Sequence, residues 1–220
     1  MIKIDLHTHS VASPDGGISE AQYIKALKSG MLDCVAITDH NQVGFAKHMH
    51  NTLGEAIIVG EEIMSSEGEI IGLFLQELVP AGLSPADTMH AIHDQSGLVY
   101  IPHPFETMRK GLGPHMLDDL VEHIDIVEIC NGRAFFQNRS QQAVVWTRLN
   151  QRAGAASSDA HGYHGLGATY TTVSKLPTAS TLLHELASAR HVTDRPGIRA
   201  LLYPKYHRTR KKILPGKQHG

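Results

Sequence analysis

The chain has 220 residues, 41% of them hydrophobic and 19% charged, a size and balance that fit one hydrophobic core and exclude a disordered chain, a collagen-like repeat or a coiled coil. The formal charge of −2 conceals an asymmetry: Lys205, Arg208, Arg210, Lys211, Lys212 and Lys217 give residues 205–220 a charge of +6 with no acid, leaving −8 for the first 204. No apolar run reaches the roughly 20 residues needed to span a bilayer, and MIKIDLHTHS carries charge where a signal peptide has its apolar core; a soluble, cytoplasmic chain with no membrane partner is expected.

In chain order, apolar and β-branched runs predict strands at Ile2–Leu6, Cys34–Thr38, Ala56–Glu61, Ile70–Leu75, Leu98–Pro102, Ile124–Ile129 and Ala153–Ser157. Between them lie helical patterns. Ser19 with Gln22 reads as a capping box closed by Gly30, and Ser84 followed by Pro85 opens a second helix that ends at Gly97. Asp118–Glu122, Phe135–Arg152 and Thr178–Ala189 supply further patterns. This alternation predicts a largely parallel sheet covered by helices, with one antiparallel pair where Ile70–Leu75 follows the preceding strand too closely for a crossover. Periodicity leaves an open sheet and a small barrel equally available. Residues from about Pro204 onward form a basic tail with little to bury, expected to dangle or fold back on the surface. Cys34 and Cys130 sit in apolar runs and read as buried thiols, neither a disulfide nor a nucleophile.

The chain has sixteen histidines against twelve Trp, Tyr and Phe together. Histidine is the commonest metal ligand, and its placement is informative. The first strand runs into His7 and His9 with Asp15 beyond; the second into Asp39 and His40; the third into Glu61 and Glu62; the fifth into His103; the sixth ends near Glu128 and Asn131; the seventh leads to Asp159 and His161. Ligands gather at the C-terminal ends of strands in α/β folds. His7 and His9, two residues apart in an extended segment, share a face. Imidazoles mixed with carboxylates suit zinc, manganese or iron, and this many such groups exceed what one ion uses, so two or three divalent ions are expected. His48, His50, His90, His93, His115, His123, His184 and His191 read as surface or packing residues, and His207 and His219 as tail residues without chemistry.

The ordered segments DLHTHS, AITDHN, GEEI, IPHP, EICNG and SSDAHG resemble the motifs of the PHP (polymerase and histidinol phosphatase) superfamily over about residues 1–175. The resemblance implies a distorted seven-stranded (β/α)7 barrel with up to three divalent ions at its C-terminal rim, and hydrolysis of phosphate esters by metal-activated water. It implies His7, His9 and Asp159 at a first ion, Asp15, His40 and His161 at a second, and Glu62 as a bridge framed by Gly60 and Ile63. His103 would share a third ion with Glu62, and Asn131 stands where members of the family place a histidine. Asp15 and His161 are candidates for proton transfer. Arg133 is the first candidate for gripping phosphate, because a guanidinium fits phosphate oxygens bidentately; Arg109 and Lys110 are weaker candidates, and His164 reads as a loop residue.

The leading expectation is a phosphatase acting on a small phosphorylated metabolite or nucleotide, its PHP domain spanning residues 1–203 and the tail 204–220. A nuclease or phosphodiesterase acting on nucleic-acid ends is the alternative, its evidence being the basic tail. A non-catalytic metal-binding regulatory module is the second alternative, opposed by the nearly complete ligand set. The sequence carries no signal of an oligomeric state.

Overall fold

The computed structural model describes residues 1–135, 137–197, 200 and 202–213; expectations for Lys217, His219 and the rest of 214–220 lie outside the described residues. All seven expected strands form: β1 (Ile2–Thr8), β2 (Cys34–Ile37), β3 (Ile57–Met64), β4 (Glu69–Leu73), β5 (Leu98–Ile101), β6 (Ile126–Asn131) and β7 (Ala153–Ser157). Among the described residues two more follow, β8 (Thr169–Val173) and β9 (Arg190–Thr193). The expected (β/α)7 barrel is thereby corrected to a nine-stranded sheet of order β7-β6-β5-β4-β3-β2-β1-β8-β9. β3–β4, β4–β5, β1–β8 and β8–β9 pair antiparallel, and the other neighbours pair parallel. The sheet nearly closes. Thr8, the last residue of β1, forms a parallel bridge with Ala160 just past β7, and Thr171 Oγ1 of β8 accepts the Ala156 N–H of β7 at 2.8 Å.

Among the described residues seven helices surround or cap the sheet: α1 (Glu20–Lys28), α2 (Gly44–Leu53), α3 (Pro85–His93), α4 (Pro114–Asp119), α5 (Ser140–Leu149), α6 (Leu182–Leu186) and α7 (Tyr203–Ile213). Local signals explain their ends. Gln22 Oε1 accepts the Ser19 N–H at 2.9 Å, and Gly30 takes φ +68° to stop α1. Ser84 Oγ accepts the Asp87 N–H at 3.1 Å ahead of α3. The patterns at 135–152 and 178–189 shrink to α5 and α6. Of the two expectations for the tail, residues 203–213 follow the second: they form α7 and fold back over the C-terminal rim.

Two apolar clusters hold the layers. Tyr23, Ala26, Met49, Met89, Ile92 and Trp146 from the helices pack against Val35, Ile37, Val99 and Val127. Ile4, Leu6, Cys34, Ala36, Ile58, Tyr100 and Ile126 fill the space between the strands themselves. Because β2 sends alternate residues to each cluster, it is buried on both faces and reads as a continuous apolar run. Among the described residues no helix is long and apolar enough to cross a membrane.

Candidate metal centre

Register shifts in the two strands that feed the site re-aim its side chains. β1 is irregular between Asp5 and Thr8, and β6 between Glu128 and Cys130, the kind of local break that turns a strand end toward a site. His103 and Asp159, just past β5 and β7, hold left-handed backbones with φ +28° and +51°. Such conformations cost about 1–3 kcal/mol each and persist where surrounding structure enforces them.

The strand ends bring eight of the nine expected ligands into overlapping clusters: His7, His9 and Asp159; His9, Asp15, His40 and His161; and His7, Glu62 and His103. A fourth cluster joins His40 and Glu62 to Glu69, which the sequence reading missed. Glu69 Oε2 lies 3.6 Å from His103 Nε2, and its Oε1 lies 3.7 Å from His40 Nδ1. The signal was a carboxylate abutting the apolar run of β4, one residue before the predicted strand. Glu61 turns the other way, accepting the Val79 N–H at 2.9 Å, and burial lifts its pKa to about 7.

Asn131 behaves differently. Its Oδ1 accepts from Arg109 Nη1 at 2.7 Å and from the Arg133 N–H at 2.8 Å, and its Nδ2 donates to Glu128 Oε2 at 2.8 Å. The amide thus aligns two arginines. Arg109 Nη1 also donates to Asp159 Oδ2 at 2.7 Å, while Arg133 Nη1 reaches Asp159 Oδ1 at 3.0 Å.

The donor set fits divalent metal. His7 Nε2 and His9 Nε2 face one another at 3.1 Å, with Glu62 Oε2 at 3.3 Å and 3.1 Å from them respectively. His7 Nδ1 lies 3.1 Å from Glu128 Oε1, and an ionised carboxylate only accepts, so in the neutral imidazole that a metal would take Nδ1 carries the proton and the Nε2 lone pair faces the cluster. Two lone pairs and a carboxylate oxygen aimed at one point call for a cation. His103 Nδ1 is buried without a hydrogen-bond partner.

Electrostatics agree. Burial alone would raise the Glu62 carboxyl, yet His7, His40 and His103 hold it well below the ordinary range. Burial likewise opposes ionised Asp159, but Arg133, His7 and His161 hold it low. Asp15 is also lowered, against burial, by His161, His40 and His9. Burial pulls His7 down, but Glu62, Asp159 and Glu128 lift it well above the usual histidine value; His9 is pushed to about 3 by burial and by His161 and His40. Glu69 is driven to about 9 by burial and by the Glu62 and Asp159 carboxylates. Crowding of this kind is what a bound cation relieves.

All of this opens into one cleft of about 890 Å³, lined by Asp15, His40, Glu62, Glu69, Asp159 and His161 and by the cations Arg109, Lys110, Arg133, Lys205, Arg208 and Lys212. The last three come from α7.

Several solved structures share this nearly closed α/β sheet. A two-domain protein of Bacteroides vulgatus, containing a predicted PHP-like metal-dependent phosphoesterase, superposes with TM-score 0.72 at 18% identity, over 94% of this chain and 69% of that one. Endonuclease Q, bound to a 27-mer duplex with an abasic lesion at its active site, superposes with TM-score 0.58 at 14% identity, over 86% of this chain and 58% of that one. In sequence, an uncharacterized protein of Methanocaldococcus jannaschii is 38% identical over 165 residues, 69% of this chain and 96% of the relative. No family model matches the sequence. The chain thus belongs to one family with the M. jannaschii protein and shares the fold of PHP-like metal-dependent phosphoesterases, whose ordered motifs its rim segments resemble.

Proposed function

We propose that the protein is a cytoplasmic, metal-dependent hydrolase of phosphate monoesters, acting on a small phosphorylated metabolite or nucleotide. The observation that carries this reading is the shared cleft: clusters able to hold divalent ions and six cationic side chains surround the same space, a combination suited to an anionic ester. His7, His9 and Asp159 would hold one ion and Asp15, His40 and His161 a second, with Glu62 beside both sets; His103 and Glu69, each also beside Glu62, would serve a further ion, and Asn131 is assigned to the arginines. Such ions supply Lewis acidity toward phosphate oxygens and a water activated near neutral pH.

The chain's own residues do the rest. Arg133 and Arg109 present guanidinium forks at Asp159, where they can share their remaining donors with phosphate oxygens. Asp15 and His161 face one another at 3.4 Å. In the ion-free chain burial and Arg133 oppose a charge on His161, but Asp15 and Asp159 raise its pKa, so this pair is assigned the proton. Coordination and proton transfer at these atoms compete.

A second reading, cleavage at nucleic-acid ends, is favoured by Lys205 and Lys212 at the cleft and by the fold shared with endonuclease Q. One panel tests both: p-nitrophenyl phosphate, mono- and bisphosphonucleotides, histidinol phosphate and short RNA, with divalent metal. Metal-dependent phosphate release, abolished in His40→Ala and Asp159→Ala with the fold retained, is expected. Protein loaded with metal that releases phosphate from no monoester refutes the first reading, and cleavage of RNA alone promotes the second.

A further inference from the structure

The C-terminal helix is more than a cationic wall. With Lys205, Arg208, Arg210, Lys211 and Lys212 in eleven residues and no acid, α7 repels itself, and a helix this short is marginal in isolation. What holds it is a set of contacts with two loops. Lys211 Nζ donates to three backbone carbonyls of the loop after β1: Val11 O at 2.6 Å, Gly16 O at 3.0 Å, and Ser13 O. Arg208 Nη2 donates to Asp15 Oδ2 at 2.7 Å, while Asp15 Oδ1 faces His161 and His40. The His207 ring lies over Gly17, where a Cβ would come within 2.1 Å of it. At the other end, the Tyr203 ring covers Gly162, where a Cβ would come within 2.8 Å, and stacks on His164.

Those two loops carry Asp15 and His161. We propose that α7 is a clamp on the cluster of His9, Asp15, His40 and His161, with Lys211 and Arg208 as positioning residues that hold the Asp15 loop in its ion-binding form. The inference rests on the metal site proposed above. Two effects of removing Lys211 oppose each other. Loss of a nearby positive charge favours a bound cation, but the half-exposed ammonium is strongly screened. Loss of three carbonyl contacts frees a loop whose ordering must then accompany ion binding, at a free-energy penalty that grows with each residue ordered. The ordering effect dominates, so the ion is held less tightly.

The test uses the full chain loaded with Mn²⁺, challenged with graded chelator and read as metal per chain by mass spectrometry, with hydrogen exchange of residues 11–17 alongside. Lys211→Met and Arg208→Met are compared with Arg210→Met, an equal charge loss at an exposed position of the same helix. Loss of the most labile ion at about tenfold lower chelator in Lys211→Met, with faster exchange in 11–17 and an Arg210→Met profile like wild type, is expected. Retention equal to or tighter than wild type overturns the clamp and leaves α7 a screening wall. Wild-type protein that takes up no ion instead overturns the metal site itself.

Discussion

Glu128 touches no expected ion yet should control one. Its Oε1 is engaged by His7 Nδ1 at 3.1 Å and by the Tyr100 hydroxyl at 3.0 Å; its Oε2 accepts the His103 N–H at 2.6 Å and Asn131 Nδ2 at 2.8 Å. Glu128→Gln keeps the shape and replaces one acceptor by a donor. If the new amide NH₂ faces His103 and Asn131, donors meet donors and two buried groups lose their partner. If it faces His7, Nδ1 must accept, the proton moves to Nε2, and the lone pair aimed at the cluster disappears. Either outcome removes a charge-assisted hydrogen bond, a contribution of roughly 1.5–3 kcal/mol, and substitution of such outer partners weakens metal sites about 10–100-fold. Competition with a fluorescent chelator measures the affinity, and circular dichroism checks the fold. Unchanged affinity in folded Glu128→Gln protein would refute the tautomer argument, and with it the assignment of His7 Nε2 to metal.

Other outcomes follow from particular contacts. Asp5 is buried, its Oδ2 unpartnered, and its pKa is raised by desolvation from 3.8 to about 7. The folded chain therefore binds more protons than the unfolded one above pH ~4, so this group's contribution is full below that pH and is lost as pH rises through 7, by about 4 kcal/mol at most. Urea denaturation of metal-free Asp5→Asn should show a flatter profile than wild type, and parallel profiles would sink the assignment. Arg109→Met should raise KM for a phosphate ester about tenfold with metal content maintained; an unchanged KM removes Arg109 from substrate binding. Stripping metal should lower Tm by about 5–10 °C, on the basis of an ion present near a hundred times its Kd, and calorimetry before and after chelation checks it.

The parts of this molecule that were legible in the sequence are those where burial and chemistry write strong local patterns. The strands that carry ligands are apolar runs ending in His or carboxylate, and each was found. β8 was missed because Thr169–Val173 alternates buried and half-buried positions with three threonines, and β9 because Arg190–Thr193 is an almost wholly exposed edge. α2 opens on Gly44 with no capping side chain. Glu69 and Glu128 escaped assignment because their roles depend on which strands are neighbours: antiparallel pairing aligns Glu69 with Met64, next to Glu62's stretch of β3, and parallel pairing of β5 with β6 brings Glu128 to His103. α7 was unreadable in principle, since its helicity depends on docking against two loops, one of them more than 180 residues earlier.

The bridge between Thr8 and Ala160 joins the first strand's exit to the seventh's, so His7 and Asp159, 3.7 Å apart, belong to nearly opposite ends of the barrel's chain. An ion held by both would act as a mechanical staple. It would close a loop of about 150 residues, and by analogy with a disulfide spanning such a loop the denatured chain would lose entropy equivalent to roughly 5 kcal/mol. A ribosome-bound fragment ending before Asp159 would lack the second jaw of that staple. Metal capture should therefore report that the barrel has been completed, and pulling on the two strands should meet its greatest resistance at the rim.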